Sequence, residues 1–204
     1  MIKALMVDVD GVLVHPAYPG GWAERLEADL GLPVAELGRA FFAPHWQDVS
    51  LGRADLHERL APVLARIAPQ LSSEDLANYW FAHDARLDEG LLDDLAALRA
   101  GGVKLHLATV QEHHRARYLW EILGFRDRFD AMHYAADLGC AKPDGAFFRA
   151  IEVRTGFAPR DLLLIDDRLD NIEGARACGW GALLWDGTRR LGEILPEAGF
   201  APRP

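Results

Sequence analysis

The sequence predicts an α/β protein: a doubly wound parallel sheet with a helical segment inserted after its first strand. Three observations predict this. Short apolar, β-rich runs alternate with amphipathic helical stretches, as βαβ units do. The best of these runs are apolar on both faces, which suits strands covered on both sides. One long stretch, residues 15–86, breaks the alternation with helical patterns and no convincing strand.

The first run, 2–9, is apolar apart from Lys3 and Asp8 and reads as a central strand. The second is "VKLHLAT", 103–109, and the third "LLLI", 162–165. A fourth covers 182–185, and a weaker fifth 131–134. Helical stripes separate them. Leu91, Leu92, Leu95 and Leu98 follow Asp88 and stop at Gly101 and Gly102. Tyr118, Leu119, Ile122 and Leu123 end at Gly124. Phe147, Phe148 and Ile151 lie between Pro143 and Gly156, and Ile172, Ala175 and Cys178 end at Gly179. Within 15–86, Leu56, Leu60 and Leu64 recur every fourth residue, and Ser72 or Ser73 opens a capped helix before "EDLANYW". The domain reading is therefore a core of 1–14 and 87–204 carrying a helical insert at 15–86. The tail 199–204 reads as a loose end.

Composition narrows the function classes. The chain has 204 residues, 50% hydrophobic and 26% charged, the balance of a soluble globular protein. A net charge of -9 disfavours nucleic acid and anionic membranes as partners. No apolar stretch reaches the ~18 residues of a membrane helix, and the N-terminal run is interrupted by acids, unlike a signal peptide. The reading is cytoplasmic, as a monomer or homodimer. Cys140 and Cys178 lack CxxC spacing and read as reduced thiols.

The polar residues sort by position. Asp8 and Asp10 close the first strand, Thr109 the second, and Asp166 and Asp167 the third, with Asp170 and Asn171 one turn later. Lys142 precedes a helix in "AKPDG". Open parallel sheets bind ligands beyond the carboxyl ends of their strands, so these residues can converge. Two carboxylates ~4 Å apart repel by about 4 kcal/mol at an effective dielectric of about 20. Several in one cleft need a cation or protonation. Oxygen-only donors suit Mg²⁺; zinc suits them poorly, because no His or Cys joins them. Asp8 and Asp10, two apart on an extended segment, can face one substrate. One can attack while the other moves protons. Gly11 lets the chain turn close to a ligand.

These stretches resemble the haloacid dehalogenase superfamily: "DVDGVL" from Asp8, "LHLAT" ending at Thr109, "AKPDGAFF" around Lys142, and "LLLIDDRLDNIEGARACG". The resemblance implies a Rossmann-like core with the helical cap of the first subfamily. It is nearest the branch with sugar-phosphate phosphatases and the N-terminal phosphatase domain of soluble epoxide hydrolase. It implies a Mg²⁺-dependent phosphatase acting on a small phosphorylated metabolite through an aspartyl-phosphate. Asp8 would be nucleophile and metal ligand. Asp10 would be acid and base, its backbone carbonyl touching the metal. Asp167 would be the third protein ligand. Gly11, Thr109, Val110 and Lys142 would hold the phosphoryl group, while Asp166, Asp170 and Asn171 would support the metal ligands or bind Lys142.

One departure stands out. The family often has Asn where this chain has Val110, so an amide beside the phosphoryl group is expected to be missing. A phosphomutase would use the same residues. A 2-haloacid dehalogenase is disfavoured by Asp10, and a non-catalytic binding protein by the presence of both Asp8 and Lys142. His113 and His114 diverge on a helix and read as exposed. His15, His45 and Arg53 are candidates to line a substrate pocket, whereas Trp46 reads as cap packing. Trp180 and Trp185 read as core or rim.

Overall fold

The computed structural model describes residues 2–198. Its strands are β1 (Ala4–Val7), β2 (Val14–His15), β3 (Arg86–Leu87), β4 (Lys104–Thr109), β5 (Ala131–Tyr134), β6 (Leu162–Asp166) and β7 (Gly181–Leu184). Five form one sheet in the order β5-β4-β1-β6-β7, and every pairing in it is parallel. The chain winds outward from β1 through β4 to β5, then returns across β1 to β6 and β7. This is a doubly wound order, and its reversal leaves a crevice beyond the carboxyl end of β1.

Alternation along the strands explains why the sheet is covered twice. Leu5 and Val7 join Leu163 and Ile165 in one apolar cluster with Leu91, Leu92 and Leu95. Ala4 and Met6 join Leu162 and Leu164 in another, with Phe147, Phe148 and Ile151. Burying each large apolar side chain stabilises by about 1.5–3 kcal/mol, so neither face can be left open. Trp180 and Trp185 are both core residues. The thiols Cys140 and Cys178 are free and half-buried.

Helix signals in the sequence act as local chemistry demands. The Asp88 carboxylate accepts the Leu91 N–H at 2.9 Å and starts Glu89–Ala100. Asp144 caps Gly145–Thr155, and Gly156 ends it in the left-handed region. Ser72 accepts the Asp75 N–H at 3.0 Å and opens Ser73–His83.

The insertion holds its own apolar cluster, including Leu37, Phe41, Leu60, Leu64 and Phe81. Its two ends are tied together by β2 and β3, an antiparallel pair that the sequence reading did not contain. Asp88 N–H donates to Leu13 O at 2.9 Å, and Ala17 N–H to His83 O at 2.7 Å, extending the tie on both sides. Strands of two residues carry no readable period. Elsewhere the predicted runs are found: 131–134 as expected, 103–109 one residue shorter, 162–165 extended to Asp166, 182–185 moved back by one residue, and 2–9 reduced at both ends to β1. The predicted loose tail lies outside the described residues. Among those residues, no helix is long and apolar enough to cross a membrane.

A buried imidazole pair sits between β4 and β5. The rings of His106 and His133 share a hydrogen bond of 2.9 Å, and both residues are buried. Burial, and then the neighbouring His106, push His133 down from 6.5 to about 4. Burial also lowers His106. The folded protein therefore binds fewer protons here than the unfolded chain. This contribution, on the order of 3 kcal/mol, is fully present above pH 6.5 and disappears as the pH falls towards 4. Urea midpoints measured from pH 7 to pH 4 should fall more steeply for the wild type than for His133→Gln; identical slopes would exclude the pair as an acid-sensitive element.

Candidate active site

Register brings the site together. Val7 lies level with Leu107 on one side and Ile165 on the other, so Asp8 emerges between Ala108 and Asp166. The Asp8 N–H still donates to Ile165 O at 2.9 Å, and the side chain is held at the strand end. Its Oδ1 accepts the Val9 N–H at 2.8 Å and lies 2.9 Å from Lys142 Nζ. Both contacts fall on Oδ1; Oδ2 accepts none of the hydrogen bonds described and is left to attack or coordinate.

Lys142 is buried and shared. Its ammonium also meets Asp166 Oδ2 at 2.5 Å. Asp166 is fully buried, and its Oδ1 accepts Arg168 N–H and Asn171 Nδ2, each at 2.9 Å. Asp166 thus grips the lysine and, through Arg168 N–H and Asn171, is tied to the start of the helix Leu169–Ala177. That helix comes close because residue 174 is glycine: a Cβ there would lie 2.5 Å from Pro143 O, beside Lys142. Gly11 is equally constrained. Its φ is +80°, and a Cβ would lie 2.3 Å from an Asp167 carboxylate oxygen. Only glycine turns the chain here and leaves Asp167 its place.

Asp8, Asp166 and Asp167 each offer a carboxylate oxygen, all within 4.8 Å of one another. Among the described residues, Lys142 is the one ammonium bonded into this group, so the three carboxylates, if all ionised, would carry two uncompensated negative charges. The titration follows. Burial, opposed by Lys142, pushes Asp8 up to about 7. Burial and the charge of Asp166 raise Asp167 as well. An all-oxygen cluster short of positive charge fits a hard divalent cation such as Mg²⁺. Asp8 and Asp167 are its candidate carboxylate ligands, while Asp166 is committed to Lys142 and Asn171.

Asp10 differs from Asp8 in every respect that matters chemically. Its side chain is 51% exposed, against 10% for Asp8. It faces the β4 side, where Gln111 Nε2 donates to its Oδ2 at 2.6 Å and to Thr109 Oγ1 at 3.3 Å. Thr109 is buried at the end of β4. Val110 is half-buried and follows it.

Three expectations change. Asp170 is not brought to Lys142: its carboxylate is exposed and lies 3.8 Å from Arg168. In the first turn of a helix that starts at Leu169, it points along the outer face. An amide does stand beside Asp10 and Thr109, but it belongs to Gln111, one residue beyond the position that Val110 fills. His114 is half-buried and lies 2.7 Å from Asp55 on the insertion; His113 is exposed as expected. Arg115 was missed altogether. It is fully buried and lies 3.8 Å from Asp10 Oδ1. Of the insertion's candidates, His15 lies 4.0 Å from Asp88, and Arg53 pairs with Asp48 at 2.8 Å. His45 and Trp46 pack on Phe41 and Phe42.

Comparison with known proteins places these motifs. A family profile described as haloacid dehalogenase-like hydrolase matches residues 2–179. A phosphoglycolate phosphatase of Rhodospirillum rubrum is 31% identical, covering 88% of this chain and 77% of its own length. A phosphatase of Mycobacterium tuberculosis is 29% identical over 97% of this chain and 99% of its own. In fold, the chain is similar to a haloacid dehalogenase-family enzyme of Bacteroides thetaiotaomicron solved with magnesium. The TM-score is 0.80 at 18% identity, over 95% of this chain and 98% of that one.

The Lys142 contacts make a stability prediction. Removing one partner of a buried ion pair strands the others, at a cost of about 3–5 kcal/mol. Lys142→Met should lose this much in urea unfolding with chelator present. Lys142→Met combined with Asp166→Leu should recover part of it, because fewer charges are then left unpaired. A double variant no better than the single one would show that the pair is not what the lysine stabilises.

Proposed function

The chain belongs to the haloacid dehalogenase-like hydrolases, and from that membership we propose that it is a Mg²⁺-dependent phosphatase of a small phosphomonoester, working through an aspartyl-phosphate on Asp8. One observation carries the reading: a buried carboxylate with a free oxygen, tied to a buried lysine, beside a second carboxylate that is half-exposed. Substrates of the sugar-phosphate and phosphoglycolate kind are the first to test, the latter because a relative carries that name.

The Asp8 and Asp167 carboxylates and the Asp10 backbone carbonyl would hold the cation. Bound there, Mg²⁺ offsets the cluster's excess negative charge and that of the phosphoryl oxygens. The chain's own groups do the rest. Asp8 Oδ2 bonds to phosphorus as the bond from phosphorus to the leaving oxygen breaks. The Asp10 carboxyl gives its proton to that oxygen, and the alcohol departs. Asp10, now a carboxylate, takes a proton from water as the water oxygen bonds to phosphorus. The bond from phosphorus to Asp8 breaks, inorganic phosphate leaves, and both acids return to their starting states. The Thr109 hydroxyl and Lys142 ammonium donate to the phosphoryl oxygens, where charge builds up. The insertion 15–86 acts as a cap that excludes bulk water over the strand ends.

Two predictions test this. Phosphate release from nitrophenyl phosphate should vanish with chelator and return with Mg²⁺. Phosphorus NMR on a panel of sugar, nucleotide and short-chain phosphates should show inorganic phosphate as the product. Full activity without metal, or sugar-phosphate isomers as the main product, would overturn the assignment.

Asp8→Asn and Asp10→Asn should fail differently. The amide of Asp8→Asn is a poor nucleophile, so turnover falls to background and no phosphoryl-enzyme forms. Asp10→Asn keeps the nucleophile but loses its acid and base, slowing each proton-dependent step by ~10²–10⁴. With nitrophenyl phosphate, whose leaving group needs little protonation, the intermediate should accumulate. Mass spectrometry after rapid quench should show added phosphate in Asp10→Asn alone; phosphate on Asp8→Asn would reverse the roles.

A further inference from the structure

The segment that follows Thr109 hydrogen-bonds one oxygen of Asp10 and sets a positive charge near the other. Gln111 takes Oδ2 at 2.6 Å, and the Arg115 guanidinium lies 3.8 Å from Oδ1. Neither side chain is loose. Gln111 is 4% exposed and Arg115 2%. The Glu112 carboxylate locks the turn between them by accepting the backbone N–H of His114 at 2.8 Å and that of Arg115.

A guanidinium buried to this degree must have partners on all sides. Those of Arg115 come chiefly from the insertion. It donates to Phe81 O at 3.1 Å and to Asp84 O, and the Asp84 carboxylate lies 3.8 Å away. The rings of Phe81 and Tyr118 stand 5.4 and 5.5 Å from it. Phe81 lies in the last helix of the insertion, Ser73–His83, and Asp84 caps its end, where the chain turns back towards the core. One side chain therefore touches both the exit of the insertion and the carboxylate that moves protons. A residue that only anchored the helix end would have no reason to face Asp10. A residue that only faced Asp10 would have no need of two carbonyls from the insertion.

We propose that Gln111 and Arg115 are positioning residues for the proton-transfer steps. Gln111 aims the Asp10 carboxylate, and Arg115 couples that aim to the seating of Phe81 and Asp84 at the exit of the insertion. The proposal rests on the reading of Asp10 as acid and base. It places the link between cap and chemistry in the motif-bearing loop of the core.

The test uses the full chain with Mg²⁺ and nitrophenyl phosphate. Gln111→Met keeps the volume and removes the amide. Arg115→Met keeps the apolar stem and removes the fork. Each should reduce steady-state turnover by about 10²-fold, the cost of misplacing a reacting group by about 1 Å. The first burst of nitrophenolate should be retained, and phosphorylated protein should accumulate, as in Asp10→Asn. Arg115→Met should also speed hydrogen exchange at the amides of residues 81–88, which Gln111→Met leaves as in the wild type. If Arg115→Met does not fold, Arg115→Lys replaces it. That variant keeps the charge but cannot bridge two carbonyls and Asp10 together, and should show the same pattern at smaller amplitude. A burst slowed in step with turnover, with no accumulation, would mean a purely structural role and would overturn the proposal, as would unchanged turnover in both variants. Wild-type protein that neither releases phosphate nor becomes phosphorylated would instead remove the phosphatase reading, and this inference with it.

Discussion

Three carboxylates and one buried ammonium meet at the carboxyl end of β1, and the rest of the structure is arranged around that imbalance. Asp8, Asp166 and Asp167 cannot be brought together without a counter-charge, and Lys142 neutralises only part of the group. Burial above all, opposed by Lys142, pushes Asp8 up to about 7, so its charged form is costly here without a further cation. The sheet order that places β1 between β4 and β6 makes the convergence possible. Two glycines allow the final approach, Gly11 beneath Asp167 and Gly174 against Pro143. A side chain at either position would push apart the groups that the charge balance requires to touch.

The same segment that borders the carboxylate cluster on the β4 side, where the proposed phosphoryl site lies, also joins the core to the insertion. From Thr109 to Arg115 the chain supplies a hydroxyl, the Gln111 amide, the Glu112 cap and a buried guanidinium. From the same helix, His114 reaches Asp55 at 2.7 Å. The insertion is thus gripped at two points, its middle loop through Asp55 and its exit through Phe81 and Asp84. The β2–β3 tie holds the two crossing strands to each other. A π-helical turn, Tyr118–Ile122, follows directly and turns Tyr118 towards Arg115.

The core site was legible in the sequence because acids at strand ends obey a simple rule. Asp8, Asp10, Thr109 and Asp166 each end an apolar run, and parallel sheets gather such ends. Lys142 was legible through its motif, and Asn171 through its place one turn after Asp166. Asp170 was misread because sequence spacing does not say which side of a first helical turn faces inward; the structure gives that side to Asn171. Gln111 and Arg115 escaped for a different reason. An amide one residue off the usual position carries no pattern. Arg115 acts across a separation of 31 residues to Asp84, through carbonyls that any residue type could supply. The two-residue strands β2 and β3 were too short for periodicity to register.

On the proposed roles of nucleophile for Asp8 and acid and base for Asp10, the contrast between them explains why two aspartates share one short motif. A nucleophile gains from burial, because desolvation raises the energy of its charged form and fixes its direction of attack. A residue that gives up a proton and then takes one from water has to reach solvent between the two steps. Asp8, with its side chain 10% exposed, meets the first demand, and Asp10, at 51%, meets the second. Only Val9 separates them, so the chain passes from the buried strand to the open crevice within two residues, and the turn at Gly11 follows at once. Exposure alone would leave Asp10 free to rotate away from the substrate. A half-exposed acid in this place therefore needs restraints from outside its own strand, and the segment after Thr109 provides a hydrogen bond from Gln111 to one oxygen and the Arg115 charge 3.8 Å from the other.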